Sequence, residues 1–245
     1  MKIKRAMVAV LAWMLVVGGM ASTLEASTMQ TPLWAGSVSD RLSIGVGYEK
    51  IERSVSSDQF YFDILEADCM YGYVGIDALH WLTVFVTGGT SELKGQGGES
   101  DSGMRLSGGL DALLWKSDVL VPEFLAGRLS IRSTAELLYS ESDVDRGTLS
   151  WMEYKFAIPV EYEIYERSPV GSSGVQTSLV LYAGPVVSFL DGDADVGMTS
   201  IGFKAQEELG VLAGFDVYFA PEISIGVNVT VLDETSYGAS LRFHF

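Results

Sequence analysis

The chain has 245 residues, of which 48% are hydrophobic and 20% charged, and a formal net charge of −16. The apolar and aromatic content excludes a disordered chain, and the negative charge argues against nucleic acid as a partner. Beyond the N-terminus, no apolar run approaches the roughly 20 residues that a membrane-spanning helix needs. Cys69 is the only cysteine, which excludes an intramolecular disulfide.

The N-terminal segment has the pattern of a secretory signal peptide. A basic start precedes an apolar stretch from Ala6 to Val17, and small residues follow. A retained membrane anchor is disfavoured, because this stretch is short for a membrane span. We predict a signal peptide over residues 1–26, with cleavage after Ala21 or Ala26, and a single domain over residues 27–245.

Apolar and polar residues then alternate with a period of two, which predicts β-strands. Residues two apart share one face of a strand but lie on opposite sides of a helix. In the clearest case, Met152–Ile164, seven apolar side chains share one face. We predict ten strands: Arg41–Arg53, Ala67–Ala78, Trp81–Gly89, Met104–Trp115, Leu125–Tyr139, Met152–Ile164, Val175–Phe189, Ser200–Phe219, Glu222–Leu232 and Ser236–Phe245.

The connections between these strands alternate in character. One set, with residues 52–66, 90–103, 140–147, 190–199 and 232–235, is polar and acidic, and the other set is generally shorter or carries proline. Transmembrane barrels have short periplasmic turns, longer outer loops and an even number of strands. Strands of 13 or more residues are long for a soluble sandwich, where about 5–6 is typical. We predict an all-β transmembrane antiparallel up-and-down β-barrel of ten strands, with eight or twelve as alternatives.

The polar faces of the strands carry charges of both signs. A lipid-facing Arg or Lys near mid-membrane costs roughly 2–4 kcal/mol, so these faces should line the lumen. Charges enclosed in a narrow barrel must pair or stay hydrated. We predict a lumen charge network of Arg105, Asp111, Arg128, Arg132, Glu136, Glu153, Lys155, Glu161, Glu163 and Arg242, with Glu208 and Asp216 also facing inward.

Aromatic residues lie where the strands leave the apolar zone, as in the interfacial girdles of membrane barrels. They are Tyr48, Phe124, Tyr139, Phe219, Tyr237 and Phe245.

The last strand alternates apolar residues up to a terminal phenylalanine: Tyr237, Ala239, Leu241, Phe243 and Phe245. This pattern resembles the C-terminal signature of bacterial outer-membrane β-barrel proteins, with small OmpA/OmpX-like barrels as the nearest type. The resemblance implies that the outer-membrane assembly machinery recognises this strand. It also implies outer-membrane lipid and lipopolysaccharide as partners, and we expect a monomer.

The two histidines give no support for catalysis. His80 falls in a predicted periplasmic turn and His244 is next to the C-terminus, whereas omptin-like proteases and lipid-modifying barrels place theirs near the outer rim. Asp191, Asp193 and Asp195 alternate as in a calcium loop, but Gly and Glu are missing from the positions that an EF-hand requires. We predict no catalytic residue, no cofactor and no metal site.

The expected function is that of an integral outer-membrane barrel with a mostly filled polar lumen. It would act as a structural or surface-interaction protein through acidic extracellular loops. Eight strands give an interior that side chains just fill, whereas 16–18 leave a channel, so ten lies near the filled end. A narrow porin-like channel for small solutes is the alternative, and a barrel enzyme is disfavoured.

Overall fold

The computed structural model describes residues 42–57, 64–95, 98–99, 102–119, 125–144, 147–166, 177–197 and 199–245. The predicted signal peptide, Arg41, Phe124 and the first residues of the predicted strand Val175–Phe189 lie outside them. No helix in the described residues is long and apolar enough to cross a membrane. The strand segments are β1 (Leu42–Ser56), β2 (Ile64–Leu79), β3 (Leu82–Gly95), β4 (Gly98–Glu99), β5 (Gly103–Val119), β6 (Leu125–Val144), β7 (Gly147–Ala157), β8 (Val160–Glu166), β9 (Ser178–Val196), β10 (Thr199–Ala205), β11 (Leu209–Ala220), β12 (Ile223–Val231) and β13 (Thr235–His244).

These segments form one closed antiparallel barrel of ten strands. The ring closes because β1 pairs with β2 on one side and with β13 on the other. β7 and β8 together make one barrel strand, β10 and β11 make another, and the short β4 only extends the pairing of β3. The predicted ten-stranded up-and-down barrel is confirmed.

A belt of exposed apolar side chains surrounds the barrel. On β1, Leu42, Ile44 and Val46 face outward, while Gly45 and Gly47 face the lumen. Exposed apolar residues recur on every barrel strand, and they include the aromatic residues Tyr48, Phe219, Tyr237 and Phe245 of the predicted girdles. A closed barrel leaves no unpaired edge in lipid, so the belt is the surface that a hydrocarbon layer covers.

The interruption between β10 and β11 changes which residues face the lumen. The pairing with β9 is offset by one residue across Gln206–Glu208. In β10 the odd-numbered Ile201 and Phe203 point inward, whereas in β11 even-numbered residues such as Asp216 do. The prediction of one strand over Ser200–Phe219 with a single inward face is wrong at this point. The interruption changes the inward residues from odd-numbered to even-numbered ones.

The barrel narrows toward the end opposite the start of β1 and the end of β13. We call this the outer end and the opposite one the periplasmic end, after the orientation that the sequence predicts. β12 and β13 stop at a turn over residues 232–234, and beyond it β10 pairs directly with β1 through Val55↔Ala205 and Ser56↔Lys204. Eight strands therefore close the outer end, whereas ten surround the rest of the lumen. Eight strands leave an interior that side chains can just fill.

The predicted outer loops are shorter than expected because the strands continue into them. β1 reaches Ser56, β3 reaches Gly95, β6 reaches Val144 and β9 reaches Val196. Much of the acidic surface assigned to loops is therefore the outward face of extended strands.

Candidate functional site in the barrel lumen

Charged side chains line the periplasmic half of the lumen and pair across neighbouring strands. Nε of Arg132 lies 2.9 Å from Oδ1 of Asp111 and 3.7 Å from Oε1 of Glu161. Arg128 makes a similar pair with Glu163, with 3.4 Å between Nη1 and Oε2. All of these side chains are half-buried, so solvent reaches this part of the lumen.

A second group of charges lies nearer the middle of the barrel, around Glu49. Its carboxylate accepts a hydrogen bond from Nη2 of Arg105 and lies 3.7 Å from Nζ of Lys155. The guanidinium of Arg105 also lies over the Tyr71 ring, 4.8 Å from the ring centroid. Lys155 extends the group to Glu153, with Nζ 3.9 Å from Oε1. These contacts compensate charges that would be costly to bury alone.

Arg53 closes the polar part of the lumen, and its side chain is 1% exposed. Its Nη1 donates to Oε1 of Glu153 at 3.0 Å and to Oγ of Ser188 at 2.8 Å. Its Nε donates to Oδ1 of Asp233 at 3.0 Å, and its Nη2 donates to the carbonyl oxygen of Glu207 at 2.9 Å. Arg53 thus joins β1 to β7, β9, the β12–β13 turn and the β10–β11 interruption, at the level where ten strands become eight.

Around Arg53 and beyond it the lumen is filled by packed apolar side chains, which we call the apolar layer. Trp151 is 1% exposed, and Ala67 and Cys69 are 0% exposed. The other buried members are Ile51, Val55, Leu65, Leu93, Leu138, Leu149, Leu190, Ala194 and Phe203. Full burial of a large apolar side chain contributes about 1.5–3 kcal/mol, so this layer stabilises the outer end. Among the residues that the structure describes, the side chains of the apolar layer fill the lumen at this outer end.

The outward positions beside the apolar layer carry charged side chains. In the belt the arrangement is the opposite, since apolar side chains face outward and polar ones face the lumen. Nζ of Lys50 lies 2.5 Å from Oε1 of Glu52 and 3.0 Å from Oε1 of Glu66. Nζ of Lys204 lies 3.3 Å from Oδ2 of Asp191. Asp191, Asp193 and Asp195 share the exposed face of β9, and the loop predicted there is wrong because β9 continues to Val196. No group of residues suited to hold a metal ion occurs in the described part of the chain.

The members of the predicted lumen network differ in the contacts that they make. Arg105, Asp111, Arg128, Arg132, Glu153, Lys155, Glu161 and Glu163 all form ion pairs. Glu136 lies opposite Lys155 in the β6–β7 ladder. Arg242 lies over the Tyr73 ring, 5.3 Å from the centroid. Glu208, predicted to face inward, lies in the β10–β11 interruption and is exposed.

Sequence reasoning missed four residues of the lumen: Glu49, Arg53, Ser188 and Asp233. A signal for two of them was present, because Glu49 and Arg53 share the alternating face of Gly45 and Gly47. Asp233 gave no such signal, since it belongs to a turn that folds against the lumen end of Arg53.

The last strand carries the residues of the predicted assembly signal. Tyr237, Phe243 and Phe245 are exposed on the outer face of the barrel, and Ala239 and Leu241 share that face. β13 forms hydrogen-bonded ladders with both β1 and β12, so it closes the ring. Recognition of this strand by the assembly machinery stays a prediction.

Both histidines lie toward the periplasmic end of the barrel. His80 is in the turn between β2 and β3. Nε2 of His244 is 3.0 Å from Oγ of Ser224, and its ring centroid is 5.7 Å from that of Tyr218. Ser224 is 2% exposed, which leaves its hydroxyl little access to a substrate. The absence of enzymatic activity stays a prediction.

Comparisons with protein-family models and with curated proteins find no match. Among solved structures, the chain is similar to the outer membrane protease OmpT from Escherichia coli, with 9% identity, a TM-score of 0.34 and coverage of 90% of this chain and 100% of the other. It is similar to the COG4313 outer membrane channel from Pseudomonas putida F1, with 9% identity, a TM-score of 0.35 and coverage of 89% and 100%. It is also similar to the beta domain of the Bordetella autotransporter BrkA, with 10% identity, a TM-score of 0.28 and coverage of 84% and 100%.

These similarities are too low to carry an argument about function. The assignment depends instead on the closed ladder of ten strands and on the apolar belt around it. Closed barrels with such a belt and a polar lumen are the spanning structures of outer membranes. The chain is therefore a membrane-spanning β-barrel of the bacterial outer-membrane type.

Proposed function

We propose that this protein is a non-conducting outer-membrane barrel that acts as a structural or surface-interaction protein through its acidic outer surface. The observation that carries the proposal is the apolar layer, in which Trp151 and Phe203 are buried inside an eight-stranded end. A pore would need a water-lined path, and apolar side chains packed to this degree exclude water.

The outer surface supports an interaction role. Outside the apolar belt, extended strands present Glu52, Glu66, Asp68 and Glu92 together with Lys50 and Lys94. Their position beside the belt fits contact with lipopolysaccharide and outer-membrane lipid, which we propose as the surroundings of a monomeric barrel. Insertion would use the outer-membrane assembly machinery through β13.

Planar-bilayer recording of the refolded protein tests the closed lumen. We expect wild type to be silent, and a Trp151→Ala, Phe203→Ala double variant to leak, because it removes the two largest side chains of the apolar layer. A matched control is Trp115→Ala with Phe189→Ala, since these residues face outward with exposures of 42% and 45%. This control should stay silent.

A second control separates the apolar layer from the ion pairs below it. An Arg128→Ala, Arg132→Ala variant should stay silent, since both residues lie in the solvated half of the lumen. Each variant is first checked for the gel shift on boiling that a folded barrel gives. Stable conductance of wild type would support the channel instead, and leakage only in the arginine variant would mean that the ion pairs form the seal.

A further inference from the structure

The lumen is a blind vestibule that opens toward the periplasm. In its outer half every inward side chain of the apolar layer is buried, and so are Arg53 and Glu153. In its periplasmic half Asp216, Tyr218 and Arg242 are only half-buried. Solvent therefore enters from the periplasmic end and stops at the level of Arg53.

Two opposite charges in this vestibule are not joined to each other. Arg242 on β13 and Asp216 on β11 face the lumen from strands that both flank β12, and neither forms an ion pair or a hydrogen bond with another side chain in the part of the chain that the structure describes. This contrasts with Arg132, which is paired with both Asp111 and Glu161.

Gly226 makes room for the Asp216 carboxylate on the lumen side of β12. It lies on β12 between the two strands, opposite Asp216 on one side and Ser240 on the other. A Cβ atom at Gly226 would lie 2.1 Å from Oδ1 of Asp216, so the carboxylate occupies the space above this glycine. Only glycine permits the arrangement without moving the carboxylate.

Tyrosine rings line the same part of the lumen. Arg242 lies over Tyr73, with 5.3 Å from the guanidinium carbon to the ring centroid. Tyr182 on β9 packs over Gly214, and Tyr218 lies beside the ring of His244. A planar guanidinium over a ring can still donate two parallel hydrogen bonds to a carboxylate.

We propose that this vestibule binds a zwitterionic α-amino acid with an aromatic side chain, entering from the periplasm. Arg242 would hold the ligand's carboxylate, Asp216 would hold its ammonium group, and the tyrosines would contact its ring. The site goes beyond the proposed function, which concerns the outer surface, and it is independent of whether that surface binds a partner.

Isothermal titration calorimetry on the refolded full-length barrel tests the site, with L-phenylalanine as the probe. N-acetyl-L-phenylalanine lacks the ammonium charge and L-phenylalanine methyl ester lacks the carboxylate, so each should bind roughly tenfold more weakly or worse. Arg242→Gln and Asp216→Asn should each weaken binding of L-phenylalanine by a similar factor. Lys204→Gln and Asp191→Asn make the same charge changes on the outer surface and should leave binding unchanged.

The variants also predict a pattern across the three probes. Asp216→Asn should bind L-phenylalanine and its N-acetyl derivative about equally, because the residue that reads the ammonium group is gone. No saturable binding of L-phenylalanine by wild type would overturn the proposal. Equal binding of all three probes, or binding unaffected by both lumen variants, would overturn it as well. Neither result would bear on the planar-bilayer recordings, which test the closed lumen of the proposed function separately.

Discussion

At the scale of single residues, Arg53 has the largest structural role in the described part of the lumen. A buried guanidinium is costly unless its donors are satisfied, and here they bond to two carboxylates, a hydroxyl and a backbone carbonyl. Its partners come from segments far apart in sequence, so the contacts form only when the barrel has closed. Arg53 therefore links the closure of the narrow outer end to the polar lumen below it.

Replacing Arg53 with methionine should destabilise the barrel by about 3–5 kcal/mol. Asp233 would remain buried without its cation, and Glu153 would keep only Lys155, 3.9 Å away. Urea unfolding in lipid vesicles, followed by tryptophan fluorescence, measures the change. Lys204→Met is the control, since its exposed pair with Asp191 should contribute only about 0–1 kcal/mol. Adding Glu153→Gln to Arg53→Met should recover part of the loss. Equal unfolding midpoints for the Arg53 and Lys204 variants would contradict this role.

At the scale of elements, the interruption at Gln206–Glu208 lets one barrel strand serve two environments. β11 directs small and polar residues into the solvated vestibule, whereas β10 directs Ile201 and Phe203 into the apolar layer. Because side chains alternate with a period of two, a shift of one residue exchanges the two faces of a strand.

Deleting Glu207 should leave the inward faces of β10 and β11 as they are. Between the pairs Lys204↔Asp191 and Leu209↔Val187, this barrel strand has four residues and β9 has three, so the deletion equalises the two spacings. It also removes the backbone carbonyl that accepts from Nη2 of Arg53. We expect a folded barrel, shown by the gel shift on boiling, with a lower unfolding midpoint than wild type. Inserting one glycine after Gly197, in the β9–β10 turn, is the control and should leave the midpoint unchanged, because short hairpin loops accept an extra residue. Loss of folded protein in the Glu207 deletion, with the insertion still folded, would mean that the extra residue itself is required.

The same elements mark how far the sequence could predict this fold. Alternation with a period of two was sufficient for ten strands, their order and the outward face of β13. It failed at the outer ends, where inward apolar residues such as Ile51 and Val55 accompany outward charges, so an apolar-outward rule assigns these ends to loops. Contacts such as that of Arg53 with Asp233 join residues far apart in sequence, and no local pattern encodes them.

At the scale of the whole molecule, the barrel has two zones of opposite polarity. Within the belt, apolar side chains face lipid and charges face the lumen. Beyond the belt, charges face outward and apolar side chains fill the interior, as in a soluble β-barrel. The change occurs along β1 between Tyr48 and Ile51, so the outer strand ends should extend past the bilayer into the aqueous phase outside the cell.

Cysteine labelling on intact cells tests this arrangement, in a Cys69→Ala background that removes the buried native thiol. Ser56→Cys, at the outer end of β1, should react with a membrane-impermeant maleimide. Val46→Cys faces outward on the same strand but lies in the belt, so it should react only after the protein is boiled in SDS. Lys116→Cys, exposed at the periplasmic end of β5, should react once the outer membrane is permeabilised. Labelling of Lys116→Cys but not of Ser56→Cys on intact cells would mean that the barrel is inserted the other way round. Labelling of Val46→Cys there would mean that lipid does not cover the belt.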